Sequence, residues 1–291
     1  MAKYILSAFA DEASNTLEGQ IAALKRNGIP LLEPRNIGGG IVDKTDDELN
    51  LIHKRLDEAG IGVSSLGSPI GKYKIEDDFE PHFNSFLRAL RACEILGTDK
   101  MRLFSFFVKK DELDKYRPEV MRRMAAMIDE AEKHGIKLCH ENESNIYGEK
   151  PERVSDLLSA NSKLYGVFDA ANFIMENCSV ADGFEATAAR LGYIHVKDMV
   201  AAAKVNVPVG EGDAGYDKVL NAVDKLTDKT IILTLEPHLH FFRAFAEIDS
   251  HKFHSAKDFA SGDEAFDFAA EALKNLLKKL GYKEENNIWK K

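Results

Sequence analysis

The stretch Lys133-His-Gly-Ile-Lys-Leu-Cys-His-Glu141 contains the pattern from which the fold follows. It begins at the end of a charged amphipathic segment, passes through Gly135, and continues as a short apolar run that ends in a carboxylate. Glycine suits the position just past a helix C-terminus, because it adopts a left-handed backbone conformation at little steric cost. The stretch therefore predicts a helix that ends at residue 134 and a strand that follows it at once.

The same junction recurs along the chain, at Gly28, Gly60, Gly97 and Gly192. The junctions at residues 28, 60, 97 and 135 are separated by 32, 37 and 38 residues, which is the size of one strand–helix unit. Apolar runs at residues 4–10, 165–170 and 230–236 bring the number of predicted strands to eight. The predicted helices cover residues 16–27, 46–59, 79–96, 117–134, 151–160, 183–191, 216–226 and 263–280.

Eight strand–helix units predict an α/β fold, a single (β/α)8 TIM barrel that occupies residues 1–291 as one domain. A doubly wound open sheet is the alternative. It would normally have fewer strands and often a GxGxxG turn after the first one. Here the first strand leads into Asp11-Glu-Ala-Ser14 without that turn.

The composition excludes several classes of function. Lys and Arg number 39 against 48 Asp and Glu, so the net charge is −9, and a nucleic-acid partner is not expected. No apolar run approaches the roughly 18 residues of a membrane span. The three cysteines are far apart and predict neither a disulfide framework nor a zinc knuckle. We expect a cytoplasmic protein that acts on a small molecule.

Four consecutive predicted strands finish with side chains that can bind a metal ion: Glu141, Asp169, His195 and Glu236. Neighbouring strand ends meet at one rim of a barrel, so these groups are expected to lie close together. Three adjacent carboxylates repel one another unless a cation lies among them. Oxygen ligands with one imidazole favour Mn²⁺, with Mg²⁺, Co²⁺ and Zn²⁺ as alternatives.

From Phe9-Ala-Asp-Glu12 through Gly192-Tyr-Ile-His-Val-Lys-Asp198 to Glu236, the chain resembles the sugar phosphate isomerase/epimerase superfamily, the xylose isomerase-like barrels. The resemblance implies that the four strand-end residues hold one metal ion. It also implies that Glu141 and Glu236 are catalytic and exchange protons with carbon on opposite faces of a sugar or sugar phosphate. Barrels of this family often pair, so a homo-oligomer is one expectation.

The chemistry of such a site agrees with this implication. Removing a proton from the carbon next to a carbonyl leaves charge on oxygen, and a metal ion stabilises the resulting enediolate. One carboxylate acts as the base, and a second returns the proton. The sequence therefore predicts a metal-dependent sugar isomerase or epimerase.

The chain departs from the ketose epimerase pattern at two positions. Asn172 stands where those enzymes have a histidine, and Ala201 where they have an arginine. Elimination reactions pass through the same intermediate. A lyase or dehydratase acting on a keto-sugar or keto-cyclitol, including one that cleaves C-glycosides, is therefore the alternative.

The candidate substrate-binding residues are Arg102, Lys72, Asn172, His238 and Lys197. Arg102 and Lys72 could bind hydroxyls or a phosphate. His238 lies on the long connection of residues 237–260, which is rich in aromatic residues and histidine. We interpret Glu33 and Arg35, after the second strand, as a structural pair.

Two further classes of function fit the sequence less well. An abasic-site endonuclease shares the barrel but would need three zinc ions and many more histidine ligands, so it is disfavoured. A barrel that senses or carries a metabolite without turnover is disfavoured by the complete set of four candidate ligands.

Overall fold

A computed structural model of the chain describes residues 1–240 and 257–291. Within them, parallel strands form a nearly closed TIM barrel, which confirms the predicted fold class. The strands in chain order are β1 (Lys3–Ala8), β2 (Leu31–Leu32), β3 (Gly62–Val63), β4 (Leu66–Gly67), β5 (Lys100–Leu103), β6 (Lys137–Glu141), β7 (Tyr165–Asp169), β8 (Leu191–Val196), β9 (Asp198–Val200), β10 (Val205–Val207), β11 (Thr230–Leu235), β12 (Lys283–Glu285) and β13 (Ile288–Lys290).

The barrel closes between its last and first strands. β11 runs parallel to β1, in a register that pairs residue 3 with residue 230 and residue 8 with residue 235. β3 pairs with β2 and β4 pairs with β5, so these two short segments together occupy one position in the ring. β9 and β10 form a separate antiparallel hairpin after β8.

Helices surround the strands. They are α1 (Leu17–Arg26), α2 (Asp46–Ala59), α3 (Phe79–Leu96), α4 (Leu113–Lys133), α5 (Pro151–Ala160), α6 (Ala170–Met175), α7 (Val180–Ala188), α8 (Tyr216–Leu226) and α9 (Gly262–Lys279). At the ends of α2 and α3, Gly60 and Gly97 have φ values of 72° and 70°, as the glycine junctions predict. None of the helices in the described residues is long and apolar enough to cross a membrane.

Two predicted helices have wrong boundaries. α4 begins at Leu113, about one turn before the predicted start at residue 117, and it contains Pro118. Pro118 cannot donate a backbone hydrogen bond, so in the sequence it resembles a residue of the first turn. α7 spans Val180–Ala188 instead of residues 183–191, because the Ser179 side chain accepts the N–H of Asp182 and caps the helix. Gly192 therefore lies within β8, and the predicted junction at this glycine is wrong.

The interior of the barrel explains why the strand ends are polar on one face. Cys139, Val167 and Tyr193 pack together in a small cluster, separate from the larger core between strands and helices. Side chains two residues apart in a strand lie on the same face. The residues at positions 141, 169 and 195 therefore lie on the same inward face, one layer nearer the C-terminal rim.

The C-terminal segment completes the sheet. β12 and β13 form a hairpin, and β13 pairs antiparallel with β1, with Tyr4 opposite Trp289. Trp289 is 2% exposed. The end of the described chain therefore packs on the barrel and covers the first half of β1.

Candidate metal centre

Four polar side chains meet at the C-terminal ends of adjacent strands. Glu141 and Asp169 are the last residues of β6 and β7. His195 lies one residue before the end of β8, and Glu236 follows β11 directly. One ligand atom from each side chain lies within 4.8 Å of the others. We call these residues the four-residue cluster.

Negative and positive side chains alternate in the cluster and at Lys197 beside it. His195 Nδ1 lies 2.9 Å from Glu141 Oε1 and 3.3 Å from Glu236 Oε2. Lys197 Nζ lies 2.7 Å from Asp169 Oδ2 and 3.6 Å from Glu236 Oε2. All five side chains are buried. An imidazole and an ammonium therefore separate the three carboxylates.

The local backbone orients Asp169. Its Oδ1 atom accepts the N–H of Asn172 at 3.0 Å and so caps the N-terminus of α6. This bond leaves Oδ2 as the oxygen that faces Lys197. A strand that runs directly into a helix therefore fixes which carboxylate oxygen enters the cluster.

Charge and burial shift the pKa values of His195 and Asp169 upward. Burial alone would lower the pKa of His195, but the carboxylates of Glu141 and Glu33 outweigh it and hold the pKa well above its usual range. Burial raises the pKa of Asp169 to about 6, against the opposing charge of Lys197. A cation that entered the cluster would compete with protons at both groups.

The two glutamates of the cluster have low pKa values. Burial would raise the pKa of Glu141, but the charges of His195 and Arg102 outweigh it. Lys197, His195 and Arg35 likewise hold the pKa of Glu236 well below its ordinary value, despite burial. Both glutamates are therefore carboxylates at neutral pH.

The donor set fits one divalent ion. Asp169 Oδ2 and Glu236 Oε2 are buried and face the interior of the cluster, where the charged groups of Lys197 and His195 are their neighbours. Buried carboxylate oxygens are costly unless a cation or a proton compensates them, and a divalent ion would supply that charge. Three carboxylates with one imidazole suit Mn²⁺, Mg²⁺, Co²⁺ or Zn²⁺. The arrangement can therefore hold a divalent metal ion.

Four of the five predicted substrate-binding residues contact the cluster. Arg102 Nη1 lies 3.1 Å from Glu141 Oε2, and Lys197 contacts Asp169 as described above. Asn172 Nδ2 donates to the carbonyl oxygen of Asn142 at 2.8 Å and approaches Glu141 Oε1 at 3.5 Å.

His238 also contacts the cluster, whereas Lys72 lies further out. His238 Nε2 lies 3.3 Å from Glu236 Oε1. Lys72 is 28% exposed and pairs with Glu143 at 3.1 Å, two residues beyond Glu141. Among the described residues, Lys72 is therefore the one candidate that makes no ion pair or hydrogen bond with the cluster. Of the connection at residues 237–260, residues 241–256 lie outside the described part of the chain.

The interpretation of Glu33 and Arg35 as a pair is wrong. Arg35 binds Asp11 at 2.9 Å and Glu236 at 2.8 Å, whereas Glu33 is buried beside His195. They are two residues apart, but they reach different partners because the strand ends at residue 32 and the chain turns. Glu33 has the same sequence signal as the cluster residues, a carboxylate directly after an apolar strand. Arg35 has no such signal.

The segment after β8 is fixed by one carboxylate. Asp198 accepts the N–H groups of Met199, Gly210 and Gly212 at 2.8–3.2 Å, and that of Ala214 at 3.0 Å. A Cβ added at Gly212 would lie 2.2 Å from Asp198 Oδ1, so only glycine fits there. These bonds hold the loop next to Lys197.

Comparison with known proteins places this fold among barrels of the same architecture. Three solved structures align over nearly the whole chain. A D-psicose 3-epimerase in the presence of D-fructose gives a TM-score of 0.73 at 16% identity, covering 95% of this chain and 99% of that one. An IolI protein with a bound zinc atom gives 0.72 at 15% identity, with the same coverages. A probable 3-DHS dehydratase, AsbF, from Bacillus anthracis gives 0.69 at 16% identity, covering 94% and 99%.

At these identities the likeness concerns the fold. The fold and the four-residue cluster define a TIM barrel with a candidate divalent-metal site at its C-terminal rim. The family model described as xylose isomerase-like TIM barrel matches residues 21–252, and the chain belongs to that family. Comparison with curated protein sequences gives no match.

Proposed function

We propose that the protein is a metal-dependent isomerase or epimerase that moves a proton on a small sugar or sugar phosphate. The observation that carries the proposal is the convergence of Glu141, Asp169, His195 and Glu236 within 4.8 Å. These four residues would hold one divalent ion, and we propose Mn²⁺. When bound, such an ion supplies Lewis acidity to the substrate's oxygens.

Glu141 and Glu236 are the proposed proton carriers. Their low pKa values keep both groups ionised, and an ionised carboxylate can accept a proton from carbon. Arg102 and Arg35 each bind one of the two carboxylates and fix its orientation. In an epimerase, one glutamate would take the proton from carbon and keep it, while the other, after taking up a proton from solvent, would give that proton to the opposite face, so the configuration is inverted.

The substrate would lie above the cluster, towards solvent. Arg102, Asn172, Lys197 and His238 are the proposed contacts to its hydroxyl and carbonyl oxygens, because each of them approaches a carboxylate of the cluster. Lys72, which is partly exposed, is the proposed contact to the distal end of the substrate. These groups can donate hydrogen bonds to oxygen.

The substitution Glu236→Gln tests the proposal. It keeps the size of the side chain but removes the proton acceptor, so turnover should fall by about 10²–10⁴-fold. The exposed Glu152→Gln on α5 is the matched control and should retain full turnover. Circular dichroism checks that both variants fold. Wild-type turnover in a folded Glu236→Gln variant contradicts the assignment.

A lyase is the second candidate, and Asn172 favours it. The Asn172 amide donates to a backbone carbonyl, so this position carries no ionisable group to handle a sugar oxygen. Lys197 places an ammonium beside the cluster, and this group could protonate a leaving hydroxyl.

Incubation with Mn²⁺ and a panel of ketoses in deuterated water separates the two candidates. An isomerase or epimerase returns a sugar that carries carbon-bound deuterium. A lyase yields an unsaturated product. The absence of both from every substrate of the panel counts against the proposed class.

A further inference from the structure

Glu33 is a fully buried carboxylate directly beneath the four-residue cluster. Its side chain is 0% exposed. Two hydroxyl groups donate to it: Tyr193 Oη at 2.7 Å and Thr234 Oγ1 at 2.8 Å. The third contact is His195 Nε2, 3.4 Å away. Among the described residues, His195 is the only basic side chain within ion-pair distance of Glu33.

Both ring nitrogens of His195 face carboxylates. Nε2 faces Glu33, and Nδ1 faces Glu141 Oε1 and Glu236 Oε2. A carboxylate accepts hydrogen bonds, so each ring nitrogen can donate an N–H. Only Nδ1 points into the cluster, so a cation there would displace the Nδ1 proton and leave the Nε2 proton with Glu33.

Sheet register gives the arrangement its rigidity. His195 lies opposite Thr234 in the pairing of β8 with β11, and Tyr193 lies two residues before His195 on the same face. The carboxylate of Glu33 therefore contacts the hydroxyl of Tyr193 and the ring of His195 on β8, and the hydroxyl of Thr234 on β11. A side chain held by three groups on rigid strands has little freedom to rotate.

We propose that Glu33 is a positioning residue that fixes the orientation and tautomer of His195, with Nδ1 as the metal-binding nitrogen. The proposal rests on the proposed function, since it assumes that His195 binds the ion. Partners of metal-bound histidines hold the ring in the binding orientation, and their loss typically weakens metal affinity about 10–100-fold.

The test compares Glu33→Gln with Thr234→Val. Glu33→Gln removes the negative charge beneath the ring but keeps the shape. Thr234→Val removes one hydrogen bond to Glu33 while leaving the carboxylate beside His195. Calorimetric titration with Co²⁺ should show affinity reduced about 10–100-fold in Glu33→Gln and changed less than about threefold in Thr234→Val. The visible spectrum of bound Co²⁺ should change in Glu33→Gln alone.

Several outcomes overturn the proposal. If the folded Glu33→Gln variant binds Co²⁺ with wild-type affinity and spectrum, Glu33 only fills the barrel. If both variants lose Co²⁺ affinity equally, the effect comes from a general loss of packing inside the barrel. If the wild-type protein binds Co²⁺ but neither variant differs from it, this proposal fails and the metal site survives. A wild-type protein that binds no Co²⁺ contradicts the metal site itself, and this proposal with it.

A measurement on the wild-type protein keeps the proposal testable if Glu33→Gln does not fold. The ring nitrogens of ¹⁵N-labelled histidine distinguish a protonated from a metal-bound nitrogen by their chemical shifts, and a His195→Gln variant assigns the signals. In the Zn²⁺-loaded protein we expect a proton on Nε2 and zinc on Nδ1. Zinc on Nε2 would overturn the proposal.

Discussion

The substitution Glu12→Gln should make the free energy of unfolding less sensitive to pH. Glu12 is 8% exposed, and its Oε2 atom accepts the N–H of His238 at 2.7 Å. Burial, with smaller contributions from Glu236 and Asp11, raises its pKa from 4.5 to about 8, against the opposing charge of Arg35. The folded protein therefore keeps a proton on this carboxyl group at neutral pH.

The size of the effect follows from linkage. A carboxyl group with a raised pKa contributes its full stabilisation below pH 4.5, where it is protonated in both the folded and the unfolded protein. This stabilisation is lost as pH rises towards 8. Each pH unit in this window costs about 1.4 kcal/mol, so the largest loss is about 5 kcal/mol. An amide has no proton to lose. The free energy of unfolding of Glu12→Gln, relative to that of the wild type, should therefore rise steadily between pH 4.5 and about pH 8.

Urea denaturation in the presence of a chelator measures this difference. The free energies of unfolding of wild type and Glu12→Gln are compared at about pH 5.5 and about pH 8.0. The exposed Glu271→Gln on α9 is the control, and its difference from the wild type should not vary with pH. If the difference in unfolding free energy between Glu12→Gln and the wild type also does not vary with pH, Glu12 is not buried in the protonated state.

Three further predictions concern other parts of the structure. Lys197→Met leaves Asp169 as a buried carboxylate without its cation, so the metal-free variant should lose about 3–5 kcal/mol in chemical denaturation and regain most of it with Mn²⁺. Metal affinity measured by calorimetry should rise with pH throughout, because His195 must release a proton, and more steeply below about pH 6, where Asp169 also holds one. Trp289→Ala should cost about 3–5 kcal/mol by denaturation, because this buried ring anchors the C-terminal hairpin to β1.

The barrel could be predicted because its signals are local. A glycine past a helix end needs only its own backbone conformation, and Gly60 and Gly97 have the left-handed φ values that such junctions require. The short α6 was missed, because its cap, Asp169, looks in the sequence like the end of a strand. The C-terminal hairpin was missed too, since its residues 283–285 are charged and exposed.

The convergence of the four-residue cluster was predictable for the same reason. Each residue comes at the end of an apolar run, and parallel strands bring such ends to one rim. The ion pairs around the cluster were not predictable. Arg35 reaches Glu236 across 201 residues of sequence, and nothing near either residue indicates the other. Such pairings depend on side-chain directions inside a closed ring.

The central claim is that Glu141, Asp169, His195 and Glu236 bind one divalent ion. Anomalous diffraction from crystals grown with Mn²⁺ tests it most directly. The account predicts one strong peak per chain, bonded to all four side chains. A peak elsewhere, or strand ends that hold no ion in manganese-saturated crystals, would contradict it.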